Sequence, residues 1–428
     1  MTIKNLYPPN RPVSIYNVIN GRPELPVIST FSRSTKATYI DATGKIVTAG
    51  IDEPRFDFDP KTQELKGLLL EEKGSNCLYN TNIGGGGTWV NATLGTGDDI
   101  LGLPCTLTSW LNNNDGQYCQ AGTQFNGGPY YGSMYIDLKQ STTTKVVQSM
   151  GIFRGAFGSV SVNFKIRDNV DGTKRCEFDQ LIPQSGWSNP SWSIQDCGDQ
   201  VFRIGVGGTT PNGNQATRLY LSQSEGNGVV ATAGQMLDTD SVGISSYLET
   251  TSTSRVERSK DAFSLTTSNN FDGGFSLLLD SETTTDDFIY KIKASGAEVA
   301  SLNNDNGTLD WQIGNPPTSA KIQGSYPQVG FVTGRVRTIS SFTAAGDAVN
   351  PNYLYTKGLS FPTVGAPAAG ANELEFGIPQ TLKAVYIWNG QLDPVQAVSI
   401  IKGDTNIVPN IPIAVSYTHL TLPTILLV

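Results

Sequence analysis

Two tryptophans share the short stretch Gly186-Trp187-Ser188-Asn189-Pro190-Ser191-Trp192, which otherwise reads as a polar, turn-rich loop. Indole faces stack on the apolar C–H face of a sugar ring while nearby amides bind its hydroxyls, and such shallow sites commonly sit on loops. Trp187, Trp192 and Asn189 are therefore the first candidates for carbohydrate contact. Trp110 and Tyr118 are the second pair, because they bracket the amide-rich run Leu111-Asn-Asn-Asn-Asp-Gly-Gln117. The competing reading is that these rings plug sandwich edges or a subunit interface. Trp311 and Trp388 fall inside strand-like patterns and are expected in the core.

Catalytic chemistry finds little material. His419 is the sole histidine, so any Ser-His-Asp or Cys-His arrangement depends on it. It lies in Val415-Ser-Tyr-Thr-His-Leu-Thr-Leu-Pro-Thr424, within residues 415–428, which resemble the translation of a transposon adapter used in library preparation. The native chain is expected to run to about Ala414, leaving no imidazole. GxSxG, HExxH and phosphate-loop motifs are absent. Acidic pairs are plentiful (Glu71-Glu72, Asp98-Asp99, Asp286-Asp287, Glu373 and Glu375), but only their separation in space would reveal a glycosidase acid and nucleophile. The expectation is a protein that is not an enzyme.

Asp168, Asn169 and Asp171 supply oxygens within one loop, as does Asn303-Asn-Asp-Asn306 in another, and a structural calcium ion is the one cofactor they suggest. Both also read as ordinary Asn/Asp/Gly turns, the preferred interpretation. Five cysteines (Cys77, Cys105, Cys119, Cys176, Cys197) make an odd count without CxxC spacing, which argues against zinc. Cys105–Cys119 and Cys176–Cys197 are conceivable pairs, but free, mostly buried thiols are expected.

Forty-six glycines, 23 prolines and only 16% charged residues in 428 suit short strands and tight turns, hence an all-β chain of several units. The net charge of −8 argues against nucleic acid, whose binding rests on Lys and Arg neutralising phosphates. No apolar window approaches the about 18–20 residues of a membrane span, and the first residues lack a signal-peptide pattern. The clearest strand is Ser159–Arg167, in which Val160, Val162, Phe164 and Ile166 alternate with polar residues. Asp168–Gly172 then reads as a hairpin turn returning through Arg175–Leu181. Further strands are expected from Val201, Thr217 and Val229, and then from Phe275, Phe288, Leu309, Gly334, Asn372 and Leu382. One helix is expected near the end, with Asp393 as N-cap, Pro394 at its first position and Gly403 beyond its last turn. Residues 1–82 form an arm and a small β-module, 88–250 one β-sandwich and 259–413 another.

Three ordered blocks, Ser32 to Gly44, Asp52 to Pro60 and Gly67 to Leu78, resemble a module near the N-termini of many bacteriophage tail, fibre and spike proteins. There "TR-x-S-x-A-T-Y-x-D-x-x-G", "N/D-E-P-R-F-D-Y-D-P" and "G-L-L-I-E-x-x-x-T-N-L" recur in that order. Glu72-Lys73-Gly74-Ser75 departs from the usual Pro-Ala-Arg-Thr-like stretch. Ala233-Gly-Gln-Met-Leu-Asp238, Ser245-Ser-Tyr-Leu248 and Arg255-Val-Glu-Arg258 resemble the ending of carbohydrate-binding-module-like jelly rolls, with Met236 and Asp238 replacing the usual Leu and Glu. The strand and short helix after Leu382 are similar to the finish of concanavalin-like lectin sandwiches. These resemblances imply a virion protein, made in the host cytoplasm and exposed on the particle. Its N-terminal region would contact other virion proteins, its sandwiches would bind host-surface polysaccharide, and it would assemble as a homotrimer.

Overall fold

The computed structural model describes residues 16–17, 25 and 29–76 and, between 89 and 402, chiefly the strands with their tighter connections and one helix. The chain is all-β: every strand pairing among these residues is antiparallel, and the sheets stack into sandwiches. Strand alternation explains this. In Val160–Asp168, Val162, Phe164 and Ile166 are buried while Lys165 is half-buried and Arg167 exposed, so one face of the strand packs and the other turns outward toward its end.

The first sandwich stacks a six-stranded sheet on an eight-stranded one. Val160–Asp168 and Lys174–Pro183 form the expected hairpin at one edge of the smaller sheet. The larger sheet runs Ser188–Asp196, Val201–Thr210, Gly128–Asp137, Val230–Thr239, Thr106–Ser109, Thr93–Thr96. Met134, Ile136, Phe202, Ile204 and Val206 are buried on one of its faces. Its other face carries Ser133, Tyr135, Arg203 and Gln195, in which Arg203 stands opposite both Tyr135 and Gln195.

The second sandwich pairs a seven-stranded and an eight-stranded sheet around a core that includes Phe263, Leu277, Leu279, Tyr290, Ile292, Trp311 and Phe342. Trp311 is fully buried and meets Phe342 edge-on at 5.3 Å. The helix Pro394–Lys402 begins at the expected proline. Ala397, Ile400 and Ile401 recur at helical spacing and cover Leu278, Ile339, Tyr355 and Trp388 on the eight-stranded sheet.

The strands of residues 29–76 are shared among the sheets of both sandwiches. Ser29–Ser32 pairs with Ala262–Thr266, and Leu65–Leu70 pairs with Gln380–Asn389, each extending a sheet of the second sandwich. Gly74–Asn76 pairs with Val230–Thr239 of the first sandwich on one side and with Val256–Arg258 on the other. Only Ala37–Ile40 and Ile46–Ala49 pair with each other alone. Gly67 fits this arrangement because its φ is +135° and the Leu382 carbonyl occupies the space of a side chain.

Candidate functional site

Where the shared segment meets both sandwiches, five buried ionic groups converge: Arg33, Arg55, Glu71, Arg258 and Asp261. Asp261 accepts from Arg55 Nη2 at 2.5 Å, from Arg33 Nη1 at 3.3 Å and from the Glu71 backbone N–H at 2.8 Å. Glu71 is bridged by Arg55, and Arg258 lies 3.2 Å from it. The Ser246 N–H and hydroxyl also donate to Glu71, each at 2.6 Å. Arg33 spreads its remaining charge over the carbonyls of Thr35, Gly50 and Glu53. Burial alone would raise the Glu71 carboxyl, but Arg258, Arg55 and the Ser246 bonds outweigh it and hold Glu71 far below the usual carboxylate range.

This cluster joins residues more than 200 positions apart, as Arg33 and Asp261 show. Arg33, Arg55 and Glu71 come from the three N-terminal blocks and Ser246 from the linker after Val230–Thr239. Arg258 comes from the strand Val256–Arg258, which joins the first sandwich's larger sheet through Gly74–Asn76, and Asp261 is the residue before Ala262–Thr266 of the second. It is an interlocking clamp. Sequence reasoning missed it, although an arginine between Pro54 and Phe56, and a glutamate closing the apolar run Leu68–Leu70, were signals of buried charge.

Beside the clamp lies a cleft of about 150 Å³. Gln195, Arg203 and Tyr135 of the first sandwich line it, with Tyr39, Asp57 and Lys66 of the shared segment, Tyr247 of the following linker, and Glu282 and Thr381 of the second sandwich. Asp57 accepts from the Ile40 N–H at 2.9 Å and faces Lys66 at 3.5 Å. Burial nevertheless raises its pKa. Glu282 is paired with Lys383 at 2.6 Å. The carboxylates lining the cleft thus all have cationic partners. Arg203, 4% exposed, rests 5.2 Å above the Tyr135 ring, and its Nε and Nη2 donate to Ser133 Oγ at 3.1 and 3.0 Å.

Trp192 lies on the strand Ser188–Asp196 instead of in a loop. Trp192 and Ile194 alternate with Ser191 and Ser193 at period two, and Pro190 is tolerated because this is an edge strand with a register shift between Ser188 and Ser191. The half-buried indole is stacked on Phe178 of the opposite sheet, with ring centroids 3.8 Å apart and planes within 7°. One indole face is therefore covered, the arrangement in which aromatics plug a sandwich edge, while Phe178 remains 37% exposed. Asn189 shares this strand, but its side chain, like all of Trp187 and Trp110, lies outside the described residues. Tyr118 sits on Gln117–Gln120 between Trp89–Val90 and Thr217–Gln223, its side chain likewise outside them.

The oxygens considered for calcium serve their own turn. Asp168 meets Lys174 at 2.9 Å, Asn169 Oδ1 accepts from Arg175 at 2.6 Å, and Asp171 accepts from the Thr173 N–H and hydroxyl. Among the described residues no cluster of His, Cys, Asp or Glu is arranged for a metal. Cys176 and Cys197 are free and buried. Burial pushes the Cys197 thiol up to about 12.

No protein-family model and no curated protein matches the chain. Among solved structures, Trypanosoma rangeli sialidase aligns with 93% of this chain and 98% of its own, at 9% identity and a TM-score of 0.25. A likeness that remote carries no argument for fold or activity.

Proposed function

We propose that this chain is a bacteriophage virion structural protein, a fibre, spike or decoration subunit whose β-sandwiches bind host-surface glycans. The observation that supports it is the clamp. Residues from each phage-like block converge with Ser246, Arg258 and Asp261 to hold a jelly-roll-like and a lectin-like sandwich in fixed register. A rigid presenting unit suits weak sugar sites made effective by multivalency, since fixed spacing raises effective concentration across copies. Residues 29–76 join the sandwiches, and Tyr16–Asn17 and Leu25 also pack on the second one, so we assign attachment on other virion proteins to the N-terminal region, residues 1–82, as a whole. Assembly as a homotrimer belongs to the same reading.

Binding without bond cleavage fits the acidic groups in the cleft. Glu71 is filled by the clamp, Asp57 is held by Ile40 and Lys66, and Glu282 by Lys383. A glycan array probed with the wild type and with Trp187→Ala and Trp192→Ala tests the reading. Retention of a defined bacterial glycan class, weakened in at least one variant, is expected. Silence on the array together with tight binding to a capsid or tail protein would instead mark a purely structural component. Release of reducing sugar from host polysaccharide would mark an enzyme.

A further inference from the structure

We propose that the cleft at the clamp seats one acidic pyranose residue of a polysaccharide, a uronic acid whose carboxylate pairs with Arg203. This rests on the glycan-binding reading and gives it a place and a ligand class. A guanidinium stays protonated at any ordinary pH, so Arg203 is a permanent cation. It is almost wholly buried, and among the described residues no carboxylate lies within ion-pair distance of it. Its bonds run to the Ser133 hydroxyl through Nε and Nη2, leaving Nη1 without a protein partner among the described residues. Nη1 is not among the sealed unsatisfied atoms, so it opens on the cleft, where a carboxylate would give it a charge-assisted hydrogen bond stronger than one to water.

The other charges of the cleft are already matched, as Asp57 faces Lys66, Glu282 holds Lys383 and Glu71 belongs to the clamp. Arg203 is the cation left over, so the cleft selects one negative charge. Size and lining give the rest of the ligand. A cavity of about 150 Å³ takes a ring the size of benzene, so this open cleft seats one face of a single pyranose with its remaining hydroxyls projecting outward. Here the lining mixes tyrosine rings (Tyr39, Tyr247) with the Gln195 amide and the Thr381 hydroxyl, a surface for a polyol and not a hydrocarbon. The chain's net charge of −8 disfavours loose attraction of a polyanion, so a buried, oriented cation is the physical means of retaining one.

The test uses the full chain, titrated by calorimetry at neutral pH with tetragalacturonate and with its carboxyl-reduced counterpart, alongside native host polysaccharide on a sensor surface. Saturable binding of tetragalacturonate is expected, at least about tenfold weaker for the reduced compound. The same loss is expected in Arg203→Gln and in Gln195→Trp, which adds an indole to the lining of the cleft and leaves Arg203 in place. Equal affinity for the reduced compound, undiminished binding by Gln195→Trp, or equal displacement by inorganic phosphate overturns the assignment. Host polysaccharide retained while tetragalacturonate is ignored overturns the cleft assignment alone. Failure to retain either overturns the glycan-binding reading with it.

Discussion

Replacing Glu71 by glutamine keeps its shape and removes its charge, and the clamp should lose most of its hold. In the wild type three guanidiniums share two carboxylates. After Glu71→Gln only Asp261 remains anionic, and the new amide N–H₂ turns a donor toward Arg55 or Arg258, whose own groups are donors. One amide oxygen can still accept from the Ser246 N–H, now 2.6 Å from Glu71. Leaving one partner of a buried ion pair uncompensated costs about 3–5 kcal/mol. That exceeds the usual effect of a surface substitution, about 0.5 kcal/mol. Since Glu71 links segments of both sandwiches, the loss should appear as uncoupling as well as destabilisation. In scanning calorimetry the wild type should unfold in one transition and Glu71→Gln in two, the first at lower temperature. A variant within about 0.5 kcal/mol of wild type by urea titration, still unfolding in a single transition, would refute the idea that this cluster ties the sandwiches together.

The same residue sets an acid limit. Its folded-state pKa is depressed below the ordinary 4.5, so its contribution is complete above that pH and fades as pH falls further. Asp57, raised by burial, works in the opposite sense. Urea midpoints between pH 3 and 7 should therefore fall below about pH 4.5, and in Glu71→Gln that fall should flatten. Gly67→Ala places a Cβ 2.0 Å from the Leu382 carbonyl at φ +135°. It should cost at least about 1–3 kcal/mol from strain alone, read as a lowered melting temperature. Cys176 and Cys197 should resist iodoacetamide in the native protein and react in urea, as peptide mass spectrometry would show.

Local structure was legible in the sequence because local physics decides it. The period of two in Val160–Ile166 and the Asp168–Gly172 turn specified a hairpin whose strands are Val160–Asp168 and Lys174–Pro183. Asp393-Pro394 marked the start of a helix whose apolar residues seal a sheet face. The buried positions of Trp311 and Trp388 followed from their strand patterns. Pairing between distant edges was not legible, because a strand such as Leu65–Leu70 shows which face is apolar and not which edge it will extend. The clamp was hidden for the same reason, since its charges are separated by up to 228 residues and meet only after three sheets are assembled. Trp192 was misplaced because Pro190 and the serines suggest a loop, whereas an edge strand tolerates both.

The most direct measurement of the proposed function is retention of the purified chain on bacterial surface polysaccharides, recorded by interferometry while reducing ends are assayed in the same sample. The account predicts saturable retention, lost on addition of free polysaccharide, with no new reducing ends. An unoccupied surface, or a steady rise in reducing ends, would contradict it.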